Sequence, residues 1–262
     1  MCFLKKIVSV ALSLGLCLGL FAAQAAHAGE RLERVLGEKV LRVGTPGDYR
    51  PFAMLEDGAY AGFDIDVITR MAAELGVKVE YVPTTWPKLM DDYLAGKFDV
   101  AVGGITRNVA RMSRSEFLPG YAPFGKIALI RKADKDKYAT LDDLNQPGVR
   151  VIKNPGGTNE KFVLEHLTKA QVATHNANAE IPGLIAEGKG DVMITETYEG
   201  LLYAKKDPRL YAAFVDKPLS RVNTLGFMLQ KDDPDFVRVM RFTWGLLEMR
   251  GELAECEARW LR

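Results

Sequence analysis

The run Asn154-Pro155-Gly156-Gly157-Thr158-Asn159-Glu160-Lys161-Phe162 joins a strand exit, two glycines, a hydroxyl and a helix start. Val149, Val151 and Ile152 supply the apolar strand before it, and Asn159 onward, through Phe162, Val163, Leu164 and Leu167, predicts the helix after it. The first N–H groups of a helix have no partner within it, and the aligned peptide dipoles place positive potential at that end. Such a turn suits a small anion, a carboxylate above all. The same residues also make an ordinary strand-to-helix connection, with glycine supplying positive φ and Thr158 capping the helix. Asn154 and Asn159 could donate hydrogen bonds to a ligand or cap the turn and helix locally.

An alternating frame must position this turn. Residues 41–44 predict a strand, 64–75 a helix with Ile68, Met71, Ala72 and Leu75 on one face, and 77–82 a second strand. A short helix over 86–95 and a strand over 98–102 follow. Extended residues 127–130 lead into the charged stretch 131–137, a solvated connection. Beyond it come a strand over 149–152, the helix from Asn159, a strand over 172–175, a helix over 181–187, a strand over 191–195 and a helix through Tyr203. Residues 224–229 are extended, and helices over 234–249 and 252–261 close the chain and are expected to pack on the first block. This alternation predicts an α/β architecture with largely parallel sheets.

Residues 1–28 begin with Lys5 and Lys6, continue as a short apolar run and end in Ala26-His27-Ala28, the pattern of a cleavable secretory signal peptide. Cys17 lacks the small residue that a lipoprotein signal needs before its cysteine, so the expected product is periplasmic, with no membrane association after cleavage. Cleavage leaves Cys256 as the one thiol, which excludes an intramolecular disulfide. It also takes the formal charge from +1 to −1, which argues against a nucleic-acid or anionic-membrane surface. His27, His166 and His175 form no metal-ligand spacing with Cys256, and no metal site is expected.

The order of Tyr49-Arg50-Pro51-Phe52, Gly62-Phe63-Asp64-Ile65-Asp66, Trp86, Gly96-Lys97-Phe98-Asp99, the 104–111 segment, Gly125-Lys126 and Lys231-Asp232-Asp233-Pro234 resembles the family-3 amino-acid-type solute-binding proteins. The resemblance spans nearly the whole chain after residue 28. It implies a two-lobe periplasmic-binding-protein fold of type II, with lobe 1 over 29–127 plus 224–262, lobe 2 over 128–223, and a ligand cleft between them. The interlobe crossing strands would be 127–130 and 224–229. Thr106 and Arg111 fall where that family holds a ligand carboxylate together with Gly157, Thr158 and Asn159. A guanidinium fork pairs bidentately with a carboxylate and a hydroxyl completes its lone pairs. Arg107 and Arg114 read as a solvated face.

A closer likeness lies in residues 45–52, 83–90, 154–162 and 195–199, which resemble the periplasmic cyclohexadienyl dehydratases, an enzymatic branch of that fold. The likeness implies conversion of prephenate to phenylpyruvate and of arogenate to phenylalanine, without a cofactor. Glu199 matches the general acid, for which burial in an apolar cleft would raise the pKa while a helix start would lower it. On spacing alone a solvated helical glutamate such as Glu187 is the competing reading. Glu196 stands where these proteins carry an acid for the ligand's α-amino group, usually aspartate. Tyr49, Phe52 and Trp86 would wall a six-membered ring, while Phe63 reads as core. Lys126 either reaches the cleft or is a solvated hinge lysine, and Lys153 and Arg107 either face solvent or add positive charge for a dianion. The rival function is a non-catalytic receptor that delivers an amino or keto acid to an ABC permease.

Overall fold

The computed structural model describes residues 29–262, and the expected signal peptide over 1–28 lies outside the described residues. The fold rests on two five-stranded sheets of like design. In the first, Lys78–Pro83, Val40–Thr45 and Val100–Ala101 run parallel, and Met228–Leu229 and Glu116–Phe117 complete the sheet through antiparallel pairing. In the second, Gln171–Thr174, Arg150–Lys153 and Val192–Glu196 run parallel, and Lys126–Arg131 then pairs antiparallel with both Val192–Glu196 and Leu210–Ala213.

Each sheet has its own core, as strands covered on both faces require. The first packs Leu41 and Val43 against Ile68 and Met71 of the helix Phe63–Glu74, and against Trp244, Leu247 and Leu253 of the closing helices Pro234–Met249 and Glu252–Trp260. The closing helices thus pack on the first block, as expected. In the second sheet successive side chains alternate between faces. Ala128, Ile130, Val151 and Ile194 meet Phe162 and Val163 on one side, while Leu129, Ile152 and Met193 meet Ile181 and Ile185 on the other. Each large apolar side chain so buried contributes roughly 1.5–3 kcal/mol.

The two blocks are joined by an antiparallel ribbon of Tyr121–Phe124 and Asn223–Leu225. This corrects the expected crossings. Residues 127–130 are an interior strand of the second sheet, buried on both faces, so the apolar run there reports a core strand. The 224–229 segment divides between the ribbon and the first sheet. The helix expected over 86–95 is only Leu89–Leu94, leaving Trp86 and Pro87 in the preceding turn. A further meander, Asp48–Tyr49, Ala53–Glu56 and Ala59–Ala61, turns at Asp57-Gly58 with φ of 49° and 80°. Positive φ at both positions is the two-residue hairpin signature of Asp-Gly.

Candidate active site

The carboxyl ends of the parallel strands of both sheets face one cleft, the usual place for a ligand in open α/β sheets. Tyr49, Trp86, Gly104, Thr106 and Arg111 line it from the first block, and Asn154, Gly156, Gly157, Thr158, Asn159, Asn178 and Glu196 from the second.

The glycine turn opens with Gly156 and Gly157 at φ of 76° and 78°. The helix starts at Gly157, with Gly156 as its N-cap and no side-chain cap. Thr158 therefore does not cap the helix. Its hydroxyl accepts a hydrogen bond of 2.8 Å from Lys126 Nζ and lies 3.2 Å from Thr106 Oγ1 across the cleft. A Cβ on Gly156 would stand 2.6 Å from the Pro87 nitrogen, so the blocks meet there backbone to backbone. Glu160 turns back to accept the Gly156 N–H at 2.7 Å and pairs with Lys153, which also donates to Thr174 Oγ1 at 2.9 Å. Lys153 is thus neither solvated nor free for a dianion.

On the opposite wall the buried Asp64 carboxylate accepts the Gly103 and Gly104 N–H groups at 2.7 and 2.9 Å and the Tyr121 hydroxyl. Burial pushes its pKa up to about 6 against those three hydrogen bonds. The loop so pinned presents Thr106, whose carbonyl accepts Arg111 Nη1 at 2.8 Å. Asn108 caps the short helix Val109–Met112 by accepting the Arg111 N–H at 2.9 Å. Burial lowers the Arg111 pKa and the Glu196 charge opposes it. Arg114 is exposed, as expected, but Arg107 is not a solvated side chain: it lies against Gly226 and donates to Thr224 Oγ1 at 3.3 Å, bracing the ribbon.

Glu196 is the centre of the cleft. Its Oε1 accepts Lys126 Nζ at 2.7 Å and, more weakly, the Thr106 and Thr158 hydroxyls at 3.3 and 3.4 Å, and its Oε2 accepts the Tyr49 hydroxyl. Lys126, only 5% exposed, also donates to Asn159 Oδ1 and is no solvated hinge residue. Burial lowers its pKa, and the Glu196 charge offsets part of that. Tyr49 and Trp86 meet edge to face with centroids 5.9 Å apart, and Trp86 Nε1 donates to Asp48 Oδ1 at 2.8 Å. Phe52 is one layer further back. It is fully buried and stacks on Tyr49 at 5.5 Å, so it supports the wall without forming it. Phe63 is core, as expected.

Glu199, in the first turn of the helix Thr197–Lys206, is 0% exposed. Its Oε1 accepts Asn178 Nδ2 at 2.8 Å and its Oε2 meets the Thr195 hydroxyl. Burial pushes its pKa up to about 8; the Thr195 hydrogen bond resists, the Glu196 charge adds to the rise, Asn178 resists and Asp48 adds again. Burial thus favours the neutral carboxyl near pH 7, behind the Asn178 side chain on the wall. Asn178, which also donates to the Asp48 carbonyl at 3.3 Å, was not singled out from the sequence. It lies in a short turn before Pro182 and belongs to no motif.

The model of the bacterial extracellular solute-binding proteins, family 3, matches residues 41–262. The chain is 38% identical over 247 residues to the cyclohexadienyl dehydratase of Pseudomonas aeruginosa, covering 94% of this chain and 91% of that protein. Among solved structures, it superposes with a TM-score of 0.81 and 32% identity on an ancestral amino acid-binding protein described as a precursor of cyclohexadienyl dehydratase, covering 89% of this chain and 100% of the other. An ancestral cyclohexadienyl dehydratase is 47% identical with a TM-score of 0.53, covering 88% and 96% of the two chains. With a cleft at the strand ends of two linked sheets and a family match over nearly all the described residues, the chain belongs to the bacterial extracellular solute-binding proteins, family 3.

Proposed function

We propose that the chain is a cyclohexadienyl dehydratase that converts prephenate to phenylpyruvate and arogenate to phenylalanine, acting in the periplasm after loss of residues 1–28. The observation that carries this reading is Glu199, a fully buried carboxyl beside a ligand cleft with its pKa raised to about 8. A transport receptor has no need of a protonated acid behind its ligand wall.

Arg111, Thr106 and the amides opening the helix Gly157–His166 hold the substrate's side-chain carboxylate. Tyr49 and Trp86 flank the cyclohexadienyl ring. With the Asn178 side chain swung aside from its hydrogen bond to Oε1, Glu199 gives its proton to the ring hydroxyl, whose C–O bond breaks to release water. The bond to the ring carboxylate breaks in concert, its electrons enter the ring, and carbon dioxide and an aromatic product result. Glu199 is left as the carboxylate and regains a proton from solvent.

The ring carboxylate loses charge as carbon dioxide departs, so a poorly solvated place for it favours the transition state. An ion pair to that carboxylate would oppose the step, and this is why Arg111 is assigned to the side-chain carboxylate. No step calls for a redox or metal cofactor. The test is the appearance of phenylpyruvate absorbance when protein lacking residues 1–28 meets prephenate at neutral pH. Turnover well above the spontaneous rate is expected, and tight ligand binding without turnover would return the chain to the non-catalytic receptors.

A further inference from the structure

Glu196 is the one acidic side chain among the residues that line the cleft, so it is the group on which a substrate ammonium would have to pair. Its carboxylate is already engaged. Oε1 takes the Lys126 ammonium at 2.7 Å together with two threonine hydroxyls, and Oε2 takes the Tyr49 hydroxyl. Both members of the ion pair are buried, with Glu196 3% and Lys126 5% exposed, so little solvent screens them.

An arriving ammonium therefore meets a carboxylate whose charge Lys126 already neutralises at 2.7 Å, so it gains little from Glu196 and is repelled by the neighbouring cation. A keto oxygen makes no such demand. It is an acceptor, and Lys126 and the hydroxyls of Thr106, Thr158 and Tyr49 are donors. The long contacts from the two threonines, at 3.3 and 3.4 Å, are the ones a ligand oxygen can take over while the 2.7 Å pair stays intact.

We infer that the Lys126–Glu196 ion pair makes this cleft select the 2-keto acid prephenate over its 2-amino counterpart arogenate. The inference rests on the dehydratase reading and narrows its substrate. Lys126 acts as a specificity determinant by occupying the carboxylate that would otherwise receive an amine.

The test compares kcat/KM for prephenate and arogenate in the unmodified protein, Lys126→Met and Glu196→Gln. It adds calorimetric binding of phenylpyruvate and L-phenylalanine, which differ only in the keto or amino group. A preference for prephenate on the order of 100-fold is expected, given the penalty for an unpaired buried charge. Lys126→Met frees the carboxylate and should cut that preference at least about tenfold. Glu196→Gln leaves the ammonium of Lys126 unopposed and should widen it, so this variant decides if Lys126→Met does not fold. Comparable kcat/KM for the two substrates, or a preference unmoved by either substitution, overturns the inference. If neither substrate is turned over, the dehydratase reading fails and the binding arm decides: tighter phenylpyruvate sustains the selection, and tighter L-phenylalanine overturns it.

Discussion

A glutamate in the first turn of a helix ordinarily ionises with ease, because the N-terminal peptide dipoles favour its anion. Glu199 goes the other way, from an ordinary 4.5 to about 8, because removal from water outweighs both the dipole and its hydrogen bonds from Thr195 and Asn178. Two consequences belong to this residue. In the proposed role of general acid it must be protonated, so kcat should be level below about pH 8 and fall about tenfold per unit above it, which a pH–rate series checks. The second concerns stability. The unfolded chain ionises this group near its ordinary value, so folding takes up a proton between the two values. The contribution of the neutral form is fully present below about 4.5 and is lost as pH rises through about 8. By pH 7 the loss is on the order of 3 kcal/mol. Glu199→Gln should therefore raise Tm at pH 7 and lose that advantage near pH 4, and a pH-independent difference in melting would contradict the shifted carboxyl. None of this was legible in the local sequence, where Glu199 and the exposed Glu187 look alike. Its hydrogen-bond partners are Asn178 and Thr195, the Asp48 charge also acts on it, and two of these three residues lie far from it along the chain. The Asn154 turn was legible because its chemistry is contiguous.

At the scale of elements, the glycine turn is where geometry leaves least freedom. Gly156 has φ of 76° and faces the Pro87 nitrogen at 2.6 Å from where a Cβ would sit. Gly156→Ala combines left-handed strain with a clash against backbone, and neither can be relieved by rotating a side chain. It should cost at least about 1 kcal/mol of stability and raise KM about tenfold, because the helix amides and Thr158 must retreat from the cleft. Gly183→Ala, at a site with nothing within 4 Å, is the control and should leave KM unchanged. Equal KM for the two variants would contradict the role given to the turn. Long elements with end signals were read closely. The helix Pro234–Met249 has its residue bounds as expected, with Asp233 accepting the Phe236 N–H at 2.9 Å and proline in its first turn. Strands such as Val100–Ala101 are too short to show periodicity, since their pairing partners define them. The start of the helix Gly157–His166 was placed two residues late, because two adjacent positive-φ glycines replace a side-chain cap.

Over the whole molecule, the catalytic account depends on groups drawn from both blocks. Trp86, Tyr49, Thr106 and Arg111 come from the first, while Glu196, Glu199 and the glycine turn come from the second. Contacts between the blocks already span the cleft: Tyr49 to Glu196, Thr106 to Thr158, and Asn178 to the Asp48 carbonyl. The architecture was legible because alternating strands and helices permit few arrangements. The crossings were not, because an apolar run such as 127–130 reads the same in a linker strand as inside a sheet. On the proposed mechanism, the feature that a receptor on this fold would not need is the carboxyl of Glu199 held neutral behind the ligand wall. The most direct test is the rate of phenylpyruvate formation from saturating prephenate at pH 7, compared between the unmodified protein and Glu199→Gln, with phenylpyruvate binding measured for both. The account predicts that Gln lowers kcat by about 10²–10⁴-fold while binding stays within a few-fold. Equal rates in the two proteins would remove Glu199 from the chemistry and contradict the account.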